Sequence, residues 1–277
     1  MKSLITGASG TAGSLTLQHL TERGLNAVGA GRAAAKDKFW VELDYARPGT
    51  FRKALHGVTH LFLVVPSGHK EPEQFQRFLD AALSFHVEHI TFLSGRTTGD
   101  VKGRALNTVE EQVRHCGLPY TILRPGWFMQ NFAADSLAID IQAEGKIYLP
   151  AGAAKTAFVD VRDIAEVVEQ TFLEKKHQGK TYELVSQEAL DHYEVAALFS
   201  RTLRRPVEYI DLSPSDFLAL MLGRGASEEG MASYIYLYDL VKTGKEARLS
   251  SDLARLLGRE PGRFEGFIKD YLEVWKD

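Results

Sequence analysis

Glycines 7, 10 and 13 stand at three-residue intervals in ITGASGTAG (residues 5–13), directly after a β-branched run, with Ser9 and Thr11 between them. Such spacing suits a turn that grips an anion. The first glycine lets a strand turn sharply, the second lets a phosphate approach the backbone, and the third lets a helix pack closely on a sheet. A helix opening near Thr11 presents free N–H groups and its positive dipole end to a diphosphate, and the hydroxyls of Ser9 and Thr11 add donors. A βα turn without ligand is the competing reading. It loses ground because the motif ends the first strand-like run and opens the first helical one.

A second feature bears on which dinucleotide would fit. The run AVGAGR (27–32) ends in Gly31-Arg32, with Lys36 four residues on and no acid before Asp37. A site for an unphosphorylated ribose usually places a carboxylate here. A guanidinium forks onto a 2′-phosphate instead, so NADP(H) is expected over NAD(H), with Arg32 and Lys36 as contacts. The alternative is an arginine that merely solvates a loop.

The third stretch is LRPGWFMQNF (123–132). Small-molecule sites are apolar and aromatic with a few polar groups. Trp127 and Phe128 could supply the walls and Asn131 a hydrogen bond to a carbonyl; aromatic packing in the core is the alternative for both rings.

These residues need elements to hold them. Ser3–Thr6, Ala27–Ala30, Phe39–Leu43, Leu61–Val65, Ile90–Leu93 and Thr121–Leu123 are apolar runs too short for helices. Helical faces alternate with them: Gly13, Leu17 and Leu20, closed by Gly24; Phe75, Phe78, Leu79 and Ala82; Leu106, Val109, Val113 and Cys116. This alternation with nearly all-apolar strands predicts an α/β fold, a doubly wound parallel sheet covered on both faces. After about residue 125 the rhythm loosens into helices over 213–222, 228–242 and 264–275 and short strands over 181–184 and 206–210. The expected organisation is a nucleotide-binding domain over 1–124, to which some later segments return, and a smaller, mostly helical substrate region over 125–277.

The bulk properties exclude several classes. The chain has 277 residues, 44% of them hydrophobic, and a net charge of −3, which gives no electrostatic case for nucleic acid or an anionic membrane. No apolar run approaches the roughly 20 residues of a membrane helix. The single Cys116 permits no intrachain disulfide, and a cytoplasmic location is expected. Nine histidines are scattered without ligand spacing, so no metal is expected. Cys116 reads as a half-buried structural thiol, Asp163 as a helix cap ahead of Glu166, and Arg201, Arg204 and Arg205 as a solvated helix end.

Taken in order, ITGASGTAG, the Gly31-Arg32 turn, LPYTILRPGWFMQNF (118–132), FVDVRDIAEVV (158–168) and LLGREPGRFEGFIKDY (256–271) resemble the NmrA-like family of atypical short-chain dehydrogenases/reductases. The resemblance implies a Rossmann-type fold that binds NADP(H). By motif, it places Thr6, Gly7, Ser9, Gly10, Thr11 and Ala12 at the pyrophosphate and Arg32 at the adenosine phosphate. It also implies that Val65-Pro66, Ser94-Gly95 and Pro125-Gly126 border the ribose and nicotinamide, with Asp44 near the adenine.

Ordinary short-chain dehydrogenases carry a Tyr-x-x-x-Lys pair on the helix after the fifth strand, where the tyrosine protonates a developing alkoxide. Here that helix reads ALNTVEEQVRHCG (105–117), with Leu106 and Glu110, or Asn107 and Glu111, at the corresponding positions. The pair Tyr238–Lys242 lies far outside the nucleotide half and reads as packing. No catalytic residue is assigned. The expected activity is NADPH-dependent hydride transfer to a small conjugated electrophile such as a quinone, an imine or iminium, an azo compound or a dye. The alternative is a non-catalytic NADP(H)-sensing regulator acting through a protein partner. A homodimer is compatible with either.

Overall fold

The structure, a computed structural model, describes residues 1–32, 39–66, 71–97, 101 and 104–276. The strands are β1 (Ser3–Thr6), β2 (Ala27–Gly31), β3 (Trp40–Glu42), β4 (His60–Val64), β5 (His89–Leu93), β6 (Tyr120–Pro125), β7 (Lys146–Leu149), β8 (Lys180–Leu184) and β9 (Glu208–Asp211). The helices are α1 (Thr11–Glu22), α2 (Phe51–Leu55), α3 (Pro72–Ser84), α4 (Ala105–His115), α5 (Asp135–Glu144), α6 (Val161–Leu173), α7 (His192–Leu203), α8 (Pro214–Gly223), α9 (Glu228–Lys242), α10 (Asp252–Leu257) and α11 (Phe264–Asp270).

Two compact units form. Met1–Pro125 with Val161–Leu184 makes the first, and Gly126–Asp160 with Val185–Asp277 the second.

The first unit is an α/β Rossmann-type fold. A parallel seven-stranded sheet runs in the order β3-β2-β1-β4-β5-β6-β8, with Ser3 opposite both Ala27 and His60. The order reverses between β1 and β4, the switch point where doubly wound sheets open a crevice beyond the strand ends. Side chains alternate across the sheet. Leu4, Leu61, Leu63, Ile90, Phe92 and Ile122 share one core with Phe51 of α2, Phe75, Phe78 and Leu79 of α3, and Val109 and Val113 of α4. The other face meets α1 and α6, and Thr91 Oγ1 lies 2.6 Å from Thr171 Oγ1 there. Pro72 starts α3 at a position where no N–H is needed, and Gly24, at φ +75°, follows the end of α1.

Helix α6 begins at Val161, so Asp163 stands inside its first turn rather than capping it as the spacing had predicted. The residue ahead of the helix is Asp160, buried, whose Oδ1 accepts a 2.7 Å bond from Gln130 Nε2.

In the second unit β7 pairs in parallel with β9 among helices, around a cluster of aromatic rings. Phe132, Phe158, Phe199, Phe264, Phe267 and Trp275 are almost fully buried. Phe132 and Phe158 each meet the Phe264 ring edge-on at 5.1 Å, contacts worth about 0.5–1.5 kcal/mol each beyond area burial. Trp275 Nε1 donates to the Phe132 carbonyl at 3.1 Å. The helix expected over 264–275 stops at Asp270, and a 3-10 turn over Leu272–Trp275 delivers the indole to this core. A capping box between Asp191 and Glu194 opens α7. Arg205 is not part of a solvated end. Its guanidinium donates to the carbonyls of Ile141, Gln142 and Trp275 at 2.8, 3.1 and 3.3 Å, closing the C-terminus of α5.

Candidate functional site

The turn after β1 is built around absent side chains. Gly7 has φ +62°, and a Cβ there would also lie 3.2 Å from Val64 Cβ at the end of β4. At Gly13 a Cβ would fall 2.2 Å from the Gly7 carbonyl oxygen and 2.9 Å from Ala8 Cα. The close approach that this third glycine permits is therefore between helix and turn, rather than between helix and sheet. Gly10 is the N-cap of α1 and has only an ordinary 3.4 Å contact, so packing does not require a glycine there. Among the described residues no side chain caps α1, and its first turn holds no acid. The first N–H groups of a 12-residue helix thus stand at the switch point with Ser9 exposed and Thr11 half-buried beside them. The arrangement fits a diphosphate. Ala12 is buried at the start of the same helix. The Thr6 hydroxyl is committed elsewhere. It donates to the Phe62 carbonyl at 3.1 Å and accepts from Val64 N at 2.8 Å, tying β1 to β4.

Arg32 is exposed just beyond β2. Lys36 lies outside the described residues. Asp44, expected near the adenine, holds its own turn. Its carboxylate accepts from Arg47 Nε at 2.9 Å and from Ala46 N at 3.0 Å. The bond from Arg47, with a smaller contribution from the positive charge of Arg32, holds its carboxyl below the usual range.

Val65 and Pro66 follow β4 at the switch point, Val65 half-buried and Pro66 exposed. Pairing of β5 with β6 continues past the strand end. Ser94 N donates to Leu123 O at 2.8 Å and Arg96 N to Pro125 O at 3.2 Å, so Ser94-Gly95 runs alongside Arg124-Pro125. In the second unit, Gly126 is forced by packing, because a Cβ would lie 2.3 Å from the Ala157 carbonyl oxygen. Trp127 is half-buried, its ring 4.9 Å from that of Tyr238. Phe128 is half-buried and Asn131 exposed.

Helix α4, where ordinary short-chain dehydrogenases carry the proton-donating tyrosine, holds a charge hub instead. Glu110 of α4 is 1% exposed. It accepts from Ser94 Oγ at 2.6 Å, from Arg124 Nη2 and Nε at 2.6 and 3.1 Å, and from Arg114 Nη2 at 2.8 Å. Burial alone pushes its carboxyl up; the bonds from Arg124, Ser94 and Arg114 outweigh this and hold it below the usual range. A carboxylate so held is ionised at neutral pH and is no acid. Sequence reasoning named Glu110 only as the occupant of a vacated position; the signal available was a carboxylate on the apolar line Leu106, Val109, Val113.

The remaining titratable candidates are structural. Tyr238 is buried, and burial raises its hydroxyl pKa with no opposing effect from Lys242. The Lys242 ammonium lies 3.8 Å from Asp239. Cys116 is half-buried and burial raises its thiol pKa, the opposite of an activated nucleophile. Among the described residues no cluster of His, Cys, Asp and Glu could hold a metal ion, and no helix is long and apolar enough to cross a membrane.

A parallel sheet with a glycine turn at its switch point, leading into an uncapped helix, defines the dinucleotide-binding Rossmann class. Within that class the chain belongs to the NmrA-like family, whose pattern it matches over residues 2–268. It is 30% identical to an NAD(P)H azoreductase of Xenophilus azovorans over 280 residues, covering 96% of each chain. Among solved structures it is similar to the Citrobacter sp. triphenylmethane reductase complexed with NADP(H), at TM-score 0.84 and 23% identity over 98% of this chain and 100% of that one. It is also similar to an NADPH-dependent quinone oxidoreductase of Escherichia coli complexed with NADPH, at TM-score 0.83 and 24% identity over 99% and 100%.

Proposed function

We propose that this chain is an NADPH-dependent oxidoreductase that reduces a small conjugated electrophile, such as a quinone, an imine or iminium, an azo compound or a cationic dye. The observation that carries the cofactor is the glycine turn, where a Cβ at Gly13 would overlap the Gly7 carbonyl and where, among the described residues, no side chain caps α1. Backbone amides of that turn, with the Ser9 and Thr11 hydroxyls, would hold the diphosphate. Arg32, and Lys36 by sequence, would meet the 2′-phosphate. Val65, Pro66, Ser94, Gly95, Pro125 and Gly126 would border the ribose and nicotinamide.

When bound, the cofactor supplies a hydride. The substrate class follows from what α4 lacks. Reduction of a simple ketone needs a proton as the hydride arrives. Helix α4 has neither tyrosine nor lysine, and its buried Glu110 is kept ionised. An already electron-poor acceptor needs mainly alignment and exclusion of water. Trp127, Phe128 and Asn131 would orient such a planar acceptor. The named activities of the relatives support this class.

The test is NADPH consumption, followed at its absorbance band, with quinones, cyclic imines, azo dyes and triphenylmethane dyes, beside calorimetric titration of NADPH. Turnover of at least one of these classes is expected. Tight NADPH binding with no turnover on the whole panel would replace this reading by that of a redox-sensing regulator. The absence of binding at millimolar nucleotide would remove both.

A further inference from the structure

Glu110 ties together two strand ends that are far apart in sequence. Ser94 is the first residue beyond β5, and Arg124 is the residue before Pro125 in β6. The Ser94 and Arg124 side chains reach the same carboxylate oxygen, Oε2, from opposite elements at 2.6 and 3.1 Å, while Oε1 takes Arg124 Nη2 and Arg114 Nη2. Arg114 in turn donates to Thr181 Oγ1 of β8 at 3.1 Å, so the network spans the sheet from β5 to β8. A second ion pair, Arg96 Nε to Glu183 Oε2 at 3.3 Å, braces the same segment.

The bond directions matter as much as the connections. A serine hydroxyl has one proton and two lone pairs. With that proton given to an ionised carboxylate, Ser94 Oγ has only lone pairs left to offer. It is polarised toward negative charge by a charge-assisted bond. It can accept from an N–H or O–H group but cannot donate to an anionic or carbonyl oxygen.

We propose that Glu110 is a positioning residue. It fixes the Ser94 hydroxyl as an obligate acceptor for a donor group of the bound dinucleotide, a ribose hydroxyl or the carboxamide amine, and locks the β5 and β6 tips that present it. This rests on the NADPH reading above and assigns α4 a role in binding geometry in place of proton donation.

The experiment is calorimetric titration of NADPH into the intact protein and its Ser94→Ala, Ser94→Thr, Glu110→Gln and double Ser94→Ala/Glu110→Gln variants, with thermal midpoints recorded for each. Loss of one hydrogen bond to the ligand predicts about a tenfold weaker Kd for Ser94→Ala, with Ser94→Thr within about threefold of wild type. Glu110→Gln is expected to weaken binding by a similar factor and the double variant by no more than the worse single, because both remove the same oriented acceptor. If Glu110→Gln does not fold, Ser94→Ala with an unchanged Kd still overturns the proposal. Wild-type binding with an unchanged Kd in Ser94→Ala overturns the proposal, as does a Glu110→Gln protein that loses thermal stability but binds NADPH like wild type. Failure of the wild type to bind NADPH overturns instead the cofactor reading on which the proposal rests.

Discussion

Gly13 and Gly7 are held so close that a single added methyl group on Gly13 would lie 2.2 Å from the Gly7 carbonyl oxygen. Real Cβ atoms do not approach oxygen so nearly, and the neighbour is backbone, so it cannot swing aside as a side chain could. Gly13→Ala must displace either α1 or the turn. The expected result is at least a tenfold loss of NADPH affinity by calorimetry, with a lowered thermal midpoint. Gly24→Ala is the matched comparison: φ is +75° but nothing lies within 4 Å. It is expected to cost about 1 kcal/mol of stability and to leave the Kd unchanged.

Arg32 is exposed beyond β2, and Asp44, on which its positive charge acts only weakly, is already engaged by Arg47. Arg32→Ala should therefore weaken NADPH by about tenfold or more, the value of a charge-assisted contact, while NADH binding changes by less than about threefold. Parallel titrations of the two nucleotides give the ratio, and equal losses would remove the 2′-phosphate from the account.

Acid should destabilise the fold through histidines before it does so through carboxylates. His89, buried at the start of β5, has a pKa brought down to about 4 by burial, with smaller contributions from the charges of His60 and His177. Thr121 Oγ1 gives its proton to the His177 carbonyl at 2.8 Å, so the 3.1 Å contact with His89 Nε2 needs the proton on Nε2. His192, buried among Phe132, Phe158 and Tyr209, is lowered to about 4 by burial, against the opposing charge of Asp211. A histidine that folds neutral contributes fully above its unfolded pKa of about 6.5, and that contribution shrinks as pH falls from there toward the folded value. Urea midpoints should fall steadily between pH 6.5 and 4.5. His89→Leu should flatten this slope; an unchanged slope would show that His89 is not the group being charged.

Tyr238→Phe keeps the ring that packs on Trp127 and removes a hydroxyl whose pKa burial raises. Turnover with the best substrate of the panel is expected to stay within about threefold of wild type. A hundredfold loss in kcat would establish the Tyr238–Lys242 pair as the acid.

The glycine turn, the sheet strands and the apolar faces of α1, α3 and α4 were legible because each is local. Turn chemistry and periodicity are written within a few residues. Helix α5 and strand β7 were not, since DSLAIDIQAE buries only Asp140 and Ile141 and KIYL is four residues long. Arg205 looked like one of a solvated basic group because its acceptors, Ile141, Gln142 and Trp275, are more than 60 residues away. Glu110 could be seen as a carboxylate on an apolar face. Its partners Ser94, just beyond β5, and Arg124, in β6, reach it from two different segments and leave no mark in the spacing.

Strand β8 completes the first sheet only after the chain has left it and come back, since Gly126–Asp160 is built into the other unit before Val161–Leu184 returns. During ribosomal synthesis β6 therefore emerges with one flank bare, and its N–H and C=O groups wait for a partner that is some sixty residues behind. An unpaired flank of this kind invites pairing with other nascent chains. A fragment ending at Pro125 would carry that defect permanently, so the two units cannot be separated by a single cut, and the genetic boundary of the nucleotide fold lies at Leu184.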